Sequence, residues 1–141
     1  GVKLSFEQWG AGSATAYLAD NTSTEKNYVD PISEYGGDVS AVSNITIKWD
    51  DSATDEQKME RLITQKWIAM FPNGQEGWSE IRRTGYPKVF PLAQSTDYSI
   101  QVANRIPFDI DEATNNKANY IKAVQLLKGN DDYATKMWWQ R

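Results

Sequence analysis

Apolar residues recur every three or four positions in the middle of the chain, in the order Met59, Leu62, Ile63, Trp67 and Met70. In a helix this spacing collects the side chains on one stripe. The pattern therefore predicts a helix through this part of the chain, and it assigns Trp67 to the core.

Both ends of this helix are marked in the sequence. Thr54 and Gln57 have the spacing of a capping box, in which each side chain bonds the backbone amide of the other residue. Residues 71–74, Phe-Pro-Asn-Gly, end the helix because proline cannot extend it and Asn or Gly tolerates a left-handed turn. A second helix is predicted from about Gln75 to Thr84, with Gly85 as its C-cap.

Shorter helical segments are predicted on either side of this pair. In the opening stretch 1–10, Val2, Phe6 and Trp9 fall at helical spacing, with Leu4 off that stripe. No capping residue precedes them, so we expect a fragment of a longer protein. A helical turn is predicted around residues 14–18. A last helix runs from about Lys117 to Lys128, with Gly129 as its C-cap.

The rest of the chain lacks a helical period. Residues 19–43 and 86–113 are rich in turn-forming residues, and we expect long irregular loops there. Ile45, Ile47 and Trp49 alternate with polar residues, which predicts a short extended segment. The predicted fold class is mainly α: about four helices, long irregular loops and one short extended segment in a single portion, residues 1–141.

Composition narrows the possible chemistry. The chain of 141 residues holds neither Cys nor His, which excludes disulfides, thiolate nucleophiles, Cys-ligated zinc and His-based triads. The net charge of −4 argues against a nucleic-acid partner. No apolar run approaches the ~20 residues that span a bilayer.

Carboxylates are the remaining candidates for catalysis. They cluster at Asp50-Asp51, at Asp109–Glu112 and at Asp131-Asp132. Adjacent acids in turn-rich sequence are typically solvated or capping, and the second cluster fails as a calcium loop because Thr114 stands where the turn requires Gly. We predict no catalytic residue, no metal site and no cofactor.

The residues of the Phe71–Pro87 stretch allow two interpretations. Either both Arg82 and Arg83 cap carbonyls or pair with nearby carboxylates, or one of them stacks on a ligand or an aromatic ring. Trp78, like Trp67, is assigned to the core.

Longer motifs connect the chain to a known family. The segments SFEQWG, YLADNTST, ITIKWDD, ERLITQKWIAMFPNGQEGWSEIRRTGYP, RIPFDIDEATNN and TKMWWQR follow one another along the sequence. In that order they resemble the C-terminal part of SusD/RagB-like proteins, within the branch described as starch-binding and outer-membrane-associated.

The resemblance implies a fold, a place and a role. Such proteins are α-helical lipoproteins on the outer face of the outer membrane of Bacteroidetes, with tetratricopeptide-like helix pairs in their N-terminal part. They form a lid on a SusC-like TonB-dependent transporter and pass it oligosaccharide or polysaccharide without cleaving it. The lipid-attachment Cys and most of the tetratricopeptide-like region are then expected upstream of Gly1, and the membrane is contacted only through that upstream anchor.

The resemblance transfers no binding residue, because its matched motifs mostly hold the helical scaffold together. Aromatic residues in predicted coil are the candidates for contact with glycan, since they are free to present an open ring face. These residues are Tyr28, Tyr35, Tyr86 and Tyr98. Two alternatives stay open: a helical docking module that contacts only the transporter, and a fragment of a carbohydrate-active enzyme that uses the acid clusters.

Overall fold

The computed structural model describes residues 1–32, 37–90 and 102–140. Six helices lie in these ranges, which confirms the mainly α fold class. They are α1 (Val2–Gln8), α2 (Thr15–Ala19), α3 (Asp55–Ala69), α4 (Gly74–Thr84), α5 (Ile110–Asn115) and α6 (Lys117–Leu127). Across the described ranges, no helix is both long and apolar enough to cross a membrane.

The capping box at the start of α3 is confirmed. The Thr54 hydroxyl accepts from the Gln57 amide at 3.3 Å, and the Gln57 side chain accepts from the Thr54 amide at 3.1 Å. Helix α3 ends at Ala69 with Met70 as its C-cap, just before the proline. Local signals therefore set both ends of the longest helix.

Helix α4 begins one residue earlier than predicted because Asn73 caps it. The Asn73 side chain accepts from the Glu76 amide at 3.2 Å. At the other end Gly85 has a φ of 77°, a left-handed conformation that suits glycine, as predicted. Lys66 of α3 joins the two helices through Glu80, with 2.5 Å between the Lys66 Nζ and a Glu80 carboxylate oxygen.

Two predictions for the remaining segments need correction. The loop predicted over 86–113 contains the start of α5, which Asp109 caps by accepting from the Asp111 amide at 2.9 Å. The alternating residues 45–49 join no β-ladder within the described ranges; the Lys48 amide donates instead to the Asp20 carbonyl at 2.7 Å. An isolated antiparallel bridge joins Tyr28 and Val39.

Gly129 is not the C-cap of α6. Lys128 takes the left-handed conformation there, with a φ of 55°. A Cβ on Gly129 would lie 2.9 Å from both Thr135 Oγ1 and Thr135 Cγ2. Glycine is therefore required at this position by the close approach of Thr135 rather than by the helix end.

The apolar core of the described residues is small. Among apolar side chains only Ala14 and Ile63 are buried there, whereas Trp67 is 41% exposed, so its assignment to the core is wrong. Trp78 is half-buried. Of the five residues on the predicted stripe of α3, Ile63 is buried, whereas Met59, Leu62 and Trp67 are exposed. The spacing placed these residues on a helix, but it carried no information on what covers them.

Polar residues hold the C-terminal region together. Buried Arg105 contacts Asp131, with 2.5 Å between Nη1 and Oδ1. The Phe108 amide and the Tyr120 hydroxyl also donate to that carboxylate, at 3.1 Å each. The ring of Phe108 packs edge-on against the ring of Tyr120 of α6, which attaches the 105–108 segment to this helix.

Candidate functional site

The structure describes two of the four tyrosines that the sequence proposes for ligand contact. Tyr28 is 46% exposed, and its ring lies 6.1 Å from the ring of Phe90 at an interplanar angle of 48°. Tyr86 is half-buried, and its hydroxyl donates to Glu56 at 2.8 Å. Tyr35 and Tyr98 lie outside the described residues.

Segment 86–90 links the two tyrosines: it begins with Tyr86, and Tyr28 packs against its last residue. Residues 86–90 run from Tyr86 to Phe90, the aromatic partner of Tyr28. Lys88 in this segment reaches the buried Glu60 of α3 at 3.5 Å. Segment 86–90 therefore connects both tyrosines to α3.

A polar cleft of about 280 Å³ lies beside this segment. Its walls come from α2, α3 and three stretches of coil. The lining residues are Tyr17, Ser23, Thr24, Glu25, Ser43, Ile45, Thr46, Ile47, Glu60, Arg61, Thr64, Gln65, Ile68, Pro87 and Lys88. Hydroxyl, carboxylate, amide and cationic groups converge on it.

Two carboxylates hold the coil walls of the polar cleft: Glu60 attaches coil to α3, and Glu25 attaches one stretch of coil to another. Glu60 is only 4% exposed; it accepts from the Ser43 hydroxyl at 2.6 Å and faces Lys88. Glu25 accepts from the backbone amides of Val42 and Ser43 at 2.6 and 2.8 Å. Charge-assisted hydrogen bonds, which are among the stronger ones in proteins, therefore fix the coil walls to each other and, through Glu60, to α3.

Arg61 and Gln65 are the donors that α3 contributes to the cleft. Arg61 donates through Nε to the Thr46 carbonyl at 3.1 Å, while its Nη1 is buried and has no hydrogen-bond partner in the described part of the chain. The amide nitrogen of Gln65 donates to the Tyr17 hydroxyl at 2.8 Å. The spacing of Glu60, Arg61 and Gln65 marks a polar side of α3, but the sequence does not show which coil faces it.

An apolar groove of about 560 Å³ lies at the joint of α3 and α4. The lining residues are Trp67, Ile68, Met70, Phe71, Pro72, Asn73, Gly74, Gly77, Trp78, Ile81 and Val102. Trp67 and Trp78, both assigned to the core from the sequence, line this open groove instead. A Cβ on Gly77 would lie 3.1 Å from Trp67 Nε1, so glycine permits the indole to lie against α4.

The two arginines of α4 have different partners. Arg83 donates to Glu80 at 2.6 Å, as expected for a pair with a nearby carboxylate. The guanidinium of Arg82 lies instead between two indoles, 4.0 Å from the Trp78 ring centroid and 4.5 Å from that of Trp139. The second interpretation therefore holds: one arginine, Arg82, lies on aromatic rings, while Arg83 pairs with a carboxylate. Burial lowers the pKa of Arg82.

Carboxylates of the predicted acid clusters accept hydrogen bonds that hold the fold together. Asp50 accepts from the amide and the hydroxyl of Ser52, which lowers its pKa. Asp131 also has a lowered pKa: desolvation opposes its ionisation, but the hydrogen bonds from Arg105, Phe108 and Tyr120 outweigh that effect. Asp132 accepts from the Thr135 amide, again with a lowered pKa. Within the described ranges, no group of three or more Asp or Glu side chains could hold a metal ion.

Comparisons with known proteins connect this fold to one family. The family model "SusD-like: Susd and RagB outer membrane lipoprotein" matches residues 1–140. No curated protein sequence matches the chain significantly.

Solved structures give close likenesses. A chitin-binding SusD homologue from Flavobacterium johnsoniae is 42% identical, with a TM-score of 0.82 over 98% of this chain and 29% of its own. A SusD-like protein from Bacteroides thetaiotaomicron is 44% identical, with a TM-score of 0.82 over 99% of this chain and 30% of its own. A SusD homologue from Bacteroides vulgatus is 37% identical, with a TM-score of 0.82 over 99% of this chain and 28% of its own. These likenesses confirm the predicted helical fold, and the chain spans less than a third of each relative.

Proposed function

The chain belongs to the SusD-like family of outer membrane lipoproteins, and on this premise we propose that it takes part in non-catalytic glycan capture at the outer face of the outer membrane. The observation that carries this proposal is 42% identity, along 98% of the chain, to a SusD homologue described as chitin-binding. Chitin-type oligosaccharides are therefore the first ligand class to test.

Tyr28 is the residue that we propose for stacking on a sugar face. Aromatic rings bring a large apolar surface to an interface, and the C–H face of a sugar ring matches such a surface. The ring is 46% exposed, while the backbone bridge to Val39 and the contact with Phe90 fix its position. A fixed, open aromatic face loses little conformational entropy when it binds.

Tyr86 is proposed as a second glycan contact. Its hydroxyl is held by Glu56, so its orientation too is set before a ligand arrives. Tyr35 and Tyr98 stay proposals from the sequence.

The proposal excludes glycoside hydrolysis by this chain. A glycosidase needs two carboxyl groups across the scissile bond, one of them a general acid with a raised pKa. Asp50, Asp131 and Asp132 have lowered pKa values instead. Asp50 and Asp132 accept hydrogen bonds from their own loops, and Asp131 accepts from the distant Arg105, Phe108 and Tyr120. This supports binding over cleavage.

We propose further that the chain is the C-terminal portion of a longer lipid-anchored protein, which passes glycan to a SusC-like TonB-dependent transporter. Its span of less than a third of its relatives supports the first part. The family's description as outer membrane lipoproteins supports the anchor and the location.

Binding to insoluble chitin, followed by a reducing-end assay, tests the proposed function. We expect retention of the chain on chitin with no release of reducing sugar above a blank. Tyr28→Ala should weaken retention roughly 3- to 10-fold, the effect of losing one aromatic contact. Tyr133→Ala is the matched control, because Tyr133 is also an exposed coil tyrosine, at 55% exposure. Release of reducing ends, or equal retention of both variants, would contradict the proposal.

A second candidate function is docking on the transporter, and the apolar groove favours it. Phe71 is 83% exposed at the rim of this groove, and aromatic residues are enriched in the cores of protein interfaces. Co-purification of the chain with the transporter tests this candidate. Phe71→Ser should abolish co-purification while chitin retention persists; loss of chitin retention alone would argue against docking at this groove.

A further inference from the structure

We propose that a groove beside the end of α6 is the surface on which the upstream part of the longer protein packs. This α6 groove, of about 400 Å³, is lined by residues 126–129 and 135–138. The proposal rests on the longer protein proposed above and names the surface that this chain offers to the rest of it. Three observations support it: the exposed area of the chain, the exposure of the groove and the charge of the groove.

The chain exposes more surface than a compact protein of its size. Its accessible surface is 10388 Å². A compact monomer of 16.0 kDa exposes ~7,400 Å², according to the scaling of surface with mass. The excess of ~3,000 Å² is well above the ~800 Å² that each partner buries in a standard protein interface. It is large enough for a permanent interface.

Apolar side chains contribute to this excess. Among the described residues only Ala14 and Ile63 are buried apolar side chains, whereas 19 large hydrophobic side chains are exposed. Monomeric proteins rarely expose large contiguous apolar patches, and such patches mark sites of interaction. A core this small indicates that another polypeptide segment completes it.

The α6 groove holds the most exposed of these side chains. Trp138 is 92% exposed and Leu126 is 83% exposed, and both line the groove. The tail that carries Trp138 is held in place, because the neighbouring Trp139 ring lies 4.5 Å from the guanidinium of Arg82. Trp138 is therefore presented to solvent by a positioned segment, next to a leucine on the helix.

The upstream part of the same protein is the occupant that the comparisons favour. The chain spans 28–30% of three SusD homologues, so more than two thirds of each relative lies outside the matched part. A segment of the same polypeptide is always close to the groove, whereas a second copy of the chain would have to arrive from solution. The groove shares no lining residue with the apolar groove between α3 and α4.

The charge of the α6 groove sets the chemistry of that segment. Lys128 and Lys136 line the groove, and none of its lining residues in the described part of the chain is acidic, although the net charge of the chain is −4. Opposite charges that face each other across an interface fix its register and give specificity. We therefore expect an apolar segment that carries Asp or Glu at its edge.

Hydroxyl-radical labelling of the full-length protein without its lipid anchor, read by mass spectrometry, tests the proposal. We expect the Trp138 side chain to be oxidised at least about tenfold more slowly in the folded protein than in urea, because the upstream segment covers it. Oxidation of Trp138 at nearly the same rate in both states would overturn the proposal. Protection that appears only at high protein concentration, or only with the transporter present, would also overturn it, since the occupant is then a second copy or the transporter.

Two variants of the full-length protein make the test specific to the groove. Leu126→Glu places a carboxylate inside the groove, where burial of a charge is unfavourable, whereas Gln125→Glu adds the same charge one residue away and outside it. We expect Leu126→Glu to be digested by thermolysin at least about tenfold faster than Gln125→Glu. If Leu126→Glu does not fold, the labelling of the unmodified protein decides.

Equal digestion of the two folded variants would overturn the proposal. The outcome is distinct from that of the chitin experiment. An exposed Trp138 in a full-length protein that is retained on chitin refutes this interface alone, whereas a protected Trp138 in a protein that is not retained refutes glycan capture alone.

Discussion

Glu80 of α4 receives Lys66 of α3 on one carboxylate oxygen, with 2.5 Å between Nζ and Oε1. Its other oxygen lies 2.6 Å from Nη2 of Arg83. The hydrogen bond from Arg83 is the largest cause of the lowered pKa of this carboxyl, and it outweighs desolvation. The joint between the two central helices therefore depends on an ionised, buried carboxylate.

Because the joint depends on an ionised carboxylate, we predict that the folded chain loses stability in acid. Because the pKa of Glu80 is lower in the folded state, its stabilising contribution is fully present above the unfolded value of ~4.3 and is lost as the pH falls through the lower folded value. The lowered pKa of Asp131 acts in the same direction. We expect the free energy of unfolding in urea to decrease steadily from about pH 5 downward.

Glu80→Gln isolates the contribution of this residue. It should reduce the free energy of unfolding at pH 7 by about 1–3 kcal/mol, since both cations are partly exposed and solvent screens part of the attraction. It should also flatten the acid dependence. An unchanged slope between pH 5 and pH 3 would show that Glu80 is not the group responsible.

Arg82 should hold the C-terminal residues against α4. Arg82→Met removes two cation–π contacts, each worth ~0.5–2 kcal/mol, and should lower the free energy of unfolding and shift the indole N–H signal of Trp139. Arg82→Lys should recover only part of the loss, because a planar guanidinium stacks on both rings at once and an ammonium does not. A Trp139 signal that is unmoved in Arg82→Met would refute the contact.

Gly77 should control the position of Trp67. Gly77→Ala places a methyl group 3.1 Å from Trp67 Nε1, but the partly exposed indole can move outward. We expect a shifted Trp67 indole N–H signal and a stability change within ~1 kcal/mol, because improved helix propensity offsets the displacement. Gly74→Ala is the control: nothing lies within 4 Å of its added Cβ, so the indole signal should stay in place.

The end of α6 offers a pair of opposite substitutions. Lys128→Gly should stabilise the chain by ~1 kcal/mol, since glycine adopts the left-handed conformation without the steric cost of a side chain. Gly129→Ala should destabilise it by roughly 1–3 kcal/mol through the contact with Thr135. Thermal unfolding measures both; a stabilising Gly129→Ala would contradict the close approach of Thr135.

The features that the sequence predicted are encoded within a few residues of each other. The capping box of Thr54 and Gln57, the helix end at Gly85 and the fold class follow from local spacing. Family motifs then connected these helices to the correct fold, since the longest of them spans α3 and α4 together.

The features that the sequence missed depend on distant segments. The spacing of Trp67 predicts an apolar side of α3, but its 41% exposure depends on which residues lie across the groove. The polar cleft is formed by α3 together with coil from around residues 23, 43 and 87. No local sequence pattern predicts that these distant segments lie side by side. Its position at the end of α6 makes Gly129 resemble a helix cap. The residue that leaves no room for a side chain there is Thr135, six positions further along the chain.

Glycan capture through exposed coil aromatics is the central claim, and a titration with chitohexaose tests it most directly. Backbone amide shifts are followed in the ¹⁵N-labelled chain and in Tyr28→Ala. We predict saturable binding with roughly millimolar affinity, since the few contacts involved barely exceed the cost of association. The shifts should lie at Tyr28, Phe90 and Tyr86 and should weaken in Tyr28→Ala. No saturable shift, or shifts confined to Trp67 and Trp78 while the tyrosines stay silent, would contradict the claim.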